Sequence, residues 1–333
     1  MINLLALAWA GIMAFGVIMY VLLDGFDLGI GIMLLFIQDE HERDLMISSI
    51  LPLWDGNQTW LVFGGAALYG AFPIAFSTIL PILYIPILIM VIALLFRGIA
   101  FEFRLKATKS KKFWDICFFL GSLFATIVQG LVLGTFVQGF KGTSVPGATD
   151  IYQWFNPFSL TCSLALICGY ILLGANYLII KTESELQTYF FWVANKMQYF
   201  ILLAFIIVSV WSPWLDPFIK ERWFNIKNIP YLAILPALTV ILFVTHWHSL
   251  KKQYEHTPFW CTIGMFMTCY LGFIISTYPY IVPRKITYID AATNDSALLF
   301  MLIGACIMLP PLLIYTYHAH KIFGGKVTEK LGY

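Results

Sequence analysis

The chain has 333 residues, of which 60% are hydrophobic and only 11% are charged, and its mean hydropathy is +0.82. Ordinary soluble domains are about 45–50% apolar and about 25% charged, so the composition excludes a water-soluble globular fold. The six cysteines lie in or beside long apolar runs without a CxxC spacing, which excludes a disulfide scaffold. A net charge of +2 without a long Lys/Arg run gives no sign of a nucleic-acid partner. The composition therefore predicts an all-α polytopic membrane protein.

Nine apolar segments are long enough to cross a bilayer, because about 20 helical residues span a hydrocarbon core of about 30 Å. The segments are residues 4–36, 57–76, 81–103, 114–138, 157–181, 191–215, 229–247, 259–278 and 297–321. The first is predicted to be long and interrupted, and its glycines Gly25, Gly29 and Gly31 indicate close helix packing or a kink. We expect one membrane domain over residues 1–333, built as two four-helix bundles and one peripheral helix.

The basic residues orient these spans. With the N-terminus outside, 14 of the 20 Lys and Arg residues fall in inner loops or the C-terminal tail, and 6 fall outside. The positive-inside rule then predicts a periplasmic N-terminus and a cytoplasmic C-terminus. No basic residue precedes the first apolar stretch, so we expect the first helix to be an uncleaved anchor.

The sequence lacks the motifs of several kinds of active site. The sequence has no Walker A loop, GxGxxG or HExxH, and so lacks the parts of a nucleotide-driven pump or a membrane metalloprotease. All six histidines fall in inner loops or at inner helix ends of the predicted topology, where we expect them to be wetted. A buried haem iron usually needs an axial side chain within the bundle. We therefore predict that this chain supplies no haem ligand and no metal site.

Carboxylates from four helices are predicted to gather near the inner face of the membrane. Asp24 and Asp27 lie about 20 residues along the first helix and share one face, because they are three residues apart. Asp55 precedes the second span, Glu102 follows the third, and Asp115 begins the fourth. Ionisable groups at membrane depth are costly and are usually functional.

Two interpretations of these charges stay open. In the first, Arg97, about two turns inside the membrane, neutralises Asp24 or Asp27, and Glu102 and Lys106 form a surface pair. In the second, the groups form a chain of protonatable side chains that admits protons from the cytoplasm. Since the outer leaflet holds few comparable groups, such a chain is a half-channel. It would deliver protons to a consumer in a partner protein.

Four motifs resemble subunit II of the cytochrome bd quinol oxidases. They are DGFDLG at 24–29, PLWDGNQTW at 52–60, GGAALYGAFP at 64–73 and LFRGIAFEFR at 95–104. Asn156-Pro-Phe, Tyr278-Pro279 and the last helix with Tyr315 fit the same family, so the resemblance runs along the whole chain. The short chain with compact loops looks more like the cyanide-insensitive branch than the longer form.

The resemblance implies a terminal oxidase of aerobic respiration in the bacterial inner membrane. This chain would pair with a homologous subunit I that carries the haems, while quinol is oxidised at the outer face. Dioxygen would be reduced to water in subunit I with protons taken from the cytoplasm. The family's proton-path residues carry over to Asp55, Glu102, Lys106, Asp115, Asp24 and Asp27. Tyr333 stands where some members have a terminal Tyr at the start of the path.

Two rival functions remain open at this stage. A stand-alone proton-coupled transporter would need a mid-membrane cavity with broken helices, and ionisable groups reaching both faces. A purely structural scaffold for subunit I would leave the inner carboxylates dispensable. Membrane lipid, a bound quinone and small accessory subunits are further partners that the resemblance allows.

Overall fold

The computed structural model describes residues 2–140 and 152–327, which form α-helices and one short β-hairpin. The helices are α1 (Ile2–Met33), α2 (Glu40–Ile50), α3 (Trp54–Ala71), α4 (Pro73–Lys106), α5 (Lys111–Gln138), α6 (Pro157–Lys181), α7 (Ser184–Leu215), α8 (Pro217–Phe224), α9 (Ile229–Leu232), α10 (Ile234–Lys251), α11 (Thr257–Thr277) and α12 (Asp295–Ile322). A 3-10 turn, Leu34–Phe36, follows α1. The antiparallel hairpin pairs β1 (Tyr280–Val282) with β2 (Ile286–Thr287).

Eight helical segments among the described residues are long and apolar enough to cross a membrane. They are Leu4–Phe36, Pro73–Lys106, Lys111–Gln138, Pro157–Lys181, Ser184–Leu215, Ile229–Lys251, Thr257–Thr277 and Asp295–Ile322. Each overlaps one of the nine predicted spans, so the prediction of an all-α polytopic membrane protein is confirmed. The remaining predicted span, 57–76, falls on α3, whose 18 residues begin with the polar sequence WDGNQT and which is not among the eight.

The connection between α3 and α4 differs from the sequence prediction, which put a loop at residues 77–80. Instead, α3 ends at Ala71 and α4 begins at Pro73. Proline suits the first position of a helix, because its missing N–H would have no helical partner there. Pro81 and Pro86 lie inside α4. Membrane helices tolerate interior prolines because neighbouring groups satisfy the freed backbone atoms. The predicted start of the third span at residue 81 was therefore wrong.

Helix α1 is continuous over 32 residues, whereas the sequence predicted an interrupted segment. Its glycines permit close packing. A Cβ added at Gly29 would overlap the backbone carbonyl of Tyr170 in α6, and one at Gly31 would overlap the Ser122 hydroxyl in α5. Small residues let membrane helices approach this closely. Helices α1, α5 and α6 therefore meet at the centre of the fold.

Helix α3 runs antiparallel to α1. Near its start, Asn57 Nδ2 donates to the carbonyl oxygen of Leu23 at 3.2 Å. Two turns later, a Cβ at Gly64 would lie 3.6 Å from Cγ2 of Val17. We call the end of the bundle at which α1 ends and α3 begins the charged end. Helix α4 also ends there, and α5 begins there.

The residues that follow α12 lie against the charged end. Lys326 Nζ lies 2.9 Å from the Glu255 carboxylate and donates to the carbonyl oxygen of Thr182 at 2.9 Å. The hydrogen bond from Lys326 holds the pKa of Glu255 below its usual value. The backbone N–H of Val327 donates to the carbonyl oxygen of Lys181 at 2.8 Å. These contacts tie the largely exposed α12 to α6 and to the loop between α10 and α11.

We expect Gly29→Ala to prevent correct folding, because the added methyl group must push the α6 backbone away from α1. Overpacking a core typically costs about 1–3 kcal/mol, and contact with backbone leaves little room to relax. The matched control is Gly11→Ala in the same helix, where a Cβ would meet nothing within 4 Å. The measurement is the amount of monodisperse protein extracted from membranes, by size-exclusion chromatography. Equal yields of the two variants would contradict the packing described for α1 and α6.

Candidate functional site

An ion pair lies buried between α1 and α4. Nη2 of Arg97 lies 2.5 Å from Oδ1 of Asp24, and the side chains are 2% and 0% exposed. Taking two charges out of water costs several kcal/mol per ion, which only close pairing and further hydrogen bonds offset. The structure therefore gives Arg97 a specific partner, Asp24, at about the depth that the sequence suggested.

Asp27 lies on the same side of α1, but its partner is Asn57 rather than Arg97. Asn57 Nδ2 donates to Oδ2 of Asp27 at 2.9 Å. The Asp27 side chain is 1% exposed, and its Oδ1 has no hydrogen-bond partner among the described residues. The sequence analysis grouped Asp27 with Arg97 and missed Asn57, although this residue stands within the motif PLWDGNQTW.

A chain of hydrogen bonds extends from this ion pair toward α5 and α6. The Tyr170 hydroxyl donates to Oε1 of Gln129 at 2.7 Å. Nε2 of Gln129 donates to the Tyr20 hydroxyl at 2.9 Å. Tyr20 is one helical turn before Asp24, and its hydroxyl faces the Asp24 carboxyl. None of these three residues was predicted as a site residue. The one feature of the sequence that could have indicated them is Gln129, a polar residue within an apolar span.

Asp115 belongs to a second buried cluster, which joins α2 to the turn between α4 and α5. Its Oδ2 lies 2.8 Å from Nη1 of Arg43, and its Oδ1 accepts a hydrogen bond from Nε of Arg104. Nη1 of Arg104 lies 2.5 Å from Oδ1 of Asp44. Lys111 Nζ is 3.4 Å from the other oxygen of Asp44. With two arginines on one carboxylate, this geometry is that of an anchor between helices.

Asp55, Glu102 and Lys106 lie on the surface of the chain at the charged end. None of the three forms an ion pair within the two described ranges. From the sequence, Asp55 was predicted to be one of the carboxylates gathered near the inner face, and Glu102 and Lys106 were a candidate pair. The structure shows three exposed and unpaired side chains instead. They are accessible to solvent or to another subunit.

The start of α3 packs against the end of α4. The Trp54 ring stacks on Phe101 with the ring centroids 5.4 Å apart. A Cβ at Gly98 would lie 3.4 Å from the same Trp54 ring. Glu102 and Lys106 follow Gly98 at intervals of four residues, so they lie on the same side of α4. The exposed carboxyls of α3 and α4 therefore belong to one region of the surface.

His246 is buried, which corrects the expectation of a wetted residue at a helix end. It is 0% exposed, with Nε2 2.9 Å from Nδ2 of Asn176 and Nδ1 3.1 Å from Oε1 of Gln198. Helix α10 continues to Lys251, so His246 lies more than one turn inside it, on the side that faces α6 and α7. Both ring nitrogens have protein partners, and neither is left to bind a metal.

Two further expectations concern ligands and the C-terminus. In the part of the chain that the structure describes, no group of three or more His, Cys, Asp and Glu side chains could hold a metal ion. Tyr333 lies outside the described residues.

Comparisons with known proteins agree with the motifs. A family model described as cytochrome bd terminal oxidase subunit II matches residues 5–323. The chain is 28% identical over 354 residues to the cytochrome bd-I ubiquinol oxidase subunit 2 of Escherichia coli (strain K12), with 92% of this chain and 91% of that protein covered. It is 29% identical over 322 residues to the cytochrome bd ubiquinol oxidase subunit 2 of Bacillus subtilis (strain 168), with 92% of each covered.

The fold has a counterpart of known structure. A chain of the bd oxidase from Geobacillus thermodenitrificans superimposes with a TM-score of 0.78, over 96% of this chain and 98% of that chain. At 18% identity this similarity supports the fold alone. Together with the family model, it confirms the resemblance drawn from the motifs.

We expect Arg97→Ala to lower the amount of folded protein far more than Arg97→Lys. The alanine variant leaves Asp24 as a buried and uncompensated charge, which costs about 3–5 kcal/mol, whereas lysine keeps a cation in place. The yield of detergent-extracted protein, measured by size-exclusion chromatography, checks this expectation. Wild-type yields from both variants would show that the ion pair does not stabilise the bundle.

Proposed function

The chain belongs to the family of cytochrome bd terminal oxidase subunit II, and we propose that it delivers cytoplasmic protons to a haem-bearing subunit I. As a family member it is part of a terminal quinol oxidase, an oxidoreductase complex, and not a stand-alone transporter. One observation carries the proposal. Exposed, unpaired carboxyls at the charged end lie beside a buried cluster of carboxyls that already has its own cation.

Asp55 is best explained as a residue that faces the partner subunit. A Cβ at Gly56 would lie 3.0 Å from the Tyr315 ring, so α12 lies close to the start of α3. Both helices also expose large apolar side chains, such as Val62 and Ile314. A carboxyl exposed to lipid would be costly. We therefore propose that subunit I covers this surface of α3 and α12.

The proposed path starts at the rim of the charged end. Glu102 and Lys106 are exposed on one side of α4 and would collect protons from the cytoplasm. Asp55 would take up a proton from this rim and release it toward subunit I. When bound in subunit I, the haems supply the reduction of dioxygen to water, which consumes these protons. The residues of this chain would bind the proton along its route, and none of them would ligate a haem.

The haems and the site of quinol oxidation belong to the partner in this proposal. The relatives from E. coli and B. subtilis are both named as ubiquinol oxidase subunits, which supports quinol as the electron donor. His246 does not fit a haem ligand, because Asn176 and Gln198 occupy both of its ring nitrogens.

We propose that α3 is the ninth membrane span. Its start contacts Asp27, and its last residue, Ala71, packs in the same buried cluster as Leu5. The 18 residues of α3 extend about 27 Å at 1.5 Å per residue. That length is close to the hydrocarbon core of about 30 Å.

Nine spans put the two termini on opposite sides of the membrane. The excess of basic residues at the charged end then supports a periplasmic N-terminus in the bacterial inner membrane. We group α1, α3, α4 and α5 as the first bundle and α6, α7, α10 and α11 as the second. Helix α12, which is largely exposed, is the peripheral helix.

A scaffolding role is the second candidate for one of the carboxyls. Asp115 is 1% exposed and is held by Arg43 and Arg104. A buried carboxylate that bridges two arginines from different elements holds those elements together. We therefore propose that Asp115 fixes α2 and α5, while Asp55, Glu102 and Lys106 form the path.

We expect Asp55→Asn to reduce oxygen consumption by the purified oxidase at least tenfold, equivalent to about 1.4 kcal/mol on the limiting barrier. Asparagine keeps the size and polarity of the side chain but cannot exchange a proton. The haem content should stay normal, since Asp55 is exposed and contributes no ion pair within the described residues. Oxygen-electrode rates and the optical spectrum provide the two readouts.

The control for this variant is Glu185→Gln, which removes another exposed carboxyl at the charged end, on α7. It should leave the rate unchanged. A wild-type rate for Asp55→Asn with full haem would exclude Asp55 from the path. A fall in both variants would show a general effect of surface charge.

We also expect His246→Gln and His320→Gln to leave the number of haems per purified complex unchanged. His246 is the buried histidine with two protein partners, and Nδ1 of His320 contacts the carbonyl oxygen of Thr316 at 2.8 Å. A pyridine haemochrome assay normalised to protein gives the number. Loss of one haem from an otherwise intact complex would assign a ligand to this chain.

A further inference from the structure

We propose that Asp27 is the carboxyl that gains and loses a proton inside the bundle, while Asp24 is a fixed anion. This inference rests on the proposed delivery of protons and deepens it, because it separates two carboxyls that the motif presents as a pair.

The first argument is a count of charges. Asp24 and Asp27 are 0% and 1% exposed, and the cation beside them is Arg97. An arginine stays protonated in proteins, so it balances one negative charge and no more. Two ionised carboxylates would leave an unbalanced charge in an apolar interior, which costs several kcal/mol. One of the two carboxyls therefore carries a proton.

The neighbouring groups do not change this count. The titratable side chains that face the two carboxyls from α1 and α6 are Tyr20, Tyr170 and Tyr177, which are neutral as phenols. From α3 comes the amide of Asn57, and from α5 the amide of Gln129. None of these groups adds a positive charge.

The contacts of Asp24 indicate that it is the ionised carboxyl of the two. Asp24 holds the direct contact with Arg97 at 2.5 Å. On its other side, the donor chain runs in one direction, from Tyr170 to Gln129 and from Gln129 to Tyr20. The Tyr20 hydroxyl at the end of this chain lies near the Asp24 carboxyl. A carboxylate in direct contact with a guanidinium is stabilised as the anion.

Asp27 has weaker support for a negative charge. Each carboxyl keeps one oxygen without a hydrogen-bond partner in the described ranges, Oδ2 of Asp24 and Oδ1 of Asp27. The other oxygen of Asp24 meets the Arg97 guanidinium, whereas Oδ2 of Asp27 accepts from the neutral amide of Asn57 at 2.9 Å. Asn57 is two residues after Asp55, in the first turn of α3. The carboxyl with the least compensation is thus hydrogen-bonded to the helix that carries Asp55.

Infrared spectroscopy of the purified oxidase, complete with its partner subunit, tests this assignment. A protonated carboxyl gives a C=O stretching band that shifts in heavy water. We expect such a band at neutral pH in the wild type, and we expect Asp27→Glu to move it. The matched control is Asp24→Glu, which should leave the band where it is.

Two further variants keep the test informative if a glutamate variant does not assemble. Asn57→Ala removes the amide that donates to Asp27 and should shift the band, whereas Gln129→Leu interrupts the chain to Asp24 and should not. Asp27→Asn should abolish the band, because Asp24 then balances Arg97 alone.

Several outcomes would overturn the proposal. A band that moves in Asp24→Glu or Gln129→Leu but not in Asp27→Glu or Asn57→Ala would reverse the roles. A band that persists unchanged in Asp27→Asn would refute the assignment to Asp27. If the wild-type spectrum has no protonated-carboxyl band that changes in these variants, the charge count is wrong. None of these readouts measures turnover, so an Asp55 that proved to lie outside the path would leave the assignment of Asp27 untouched.

Discussion

The cost of placing one guanidinium inside an apolar bundle is the constraint on which the rest of this structure depends. Arg97 is 2% exposed, so it needs an anion at contact distance, and Asp24 provides one from α1. That contact requires α1 to lie deep among the other helices. The absence of side chains at Gly29 and Gly31 lets α1 approach α6 and α5 closely enough. Helix packing and charge pairing are therefore two aspects of one arrangement.

Two charged clusters near the same end of the molecule differ in how their charges balance. Around Asp115, three carboxylates, Glu40, Asp44 and Asp115, face three cations, Arg43, Arg104 and Lys111. Such a cluster is balanced as a unit, and it holds α2 against α4 and α5. Around Arg97, two carboxyls share one cation. This difference in charge balance supports our proposal that a proton is held beside Arg97, while the cluster around Asp115 is an anchor.

The sequence predicted those features that depend on one segment at a time. Hydropathy located the spans, and the depth of Arg97 in an apolar run indicated a carboxylate partner. The roles of Asn57 and Gln129 could not be predicted in this way, because their partners lie on other helices and depend on how each helix is rotated. The burial of His246 was missed for the same reason. The exposure of Asp55 was missed because the side of α3 that faces the other helices is set by contacts such as that of Asn57 with Asp27, which the sequence does not show. The predicted boundary at residue 81 was wrong because α4 continues through Pro81, and membrane helices tolerate an interior proline.

The opposite end of the bundle holds a charged pair of a different kind. There, Nε of Arg284 lies 2.5 Å from Asp216, and Nη2 of Arg284 donates to the carbonyl oxygen of Val137 at 3.1 Å. The charges of this pair are satisfied by each other and by the end of α5. Between it and the charged end, the middle of the α3–α4 hairpin, residues 56–96, contains no Asp, Glu, Lys, Arg or His. A proton on Asp55 would find no Asp, Glu, Lys, Arg or His farther along that hairpin. This is why the route that we propose continues across the surface that we propose subunit I to cover.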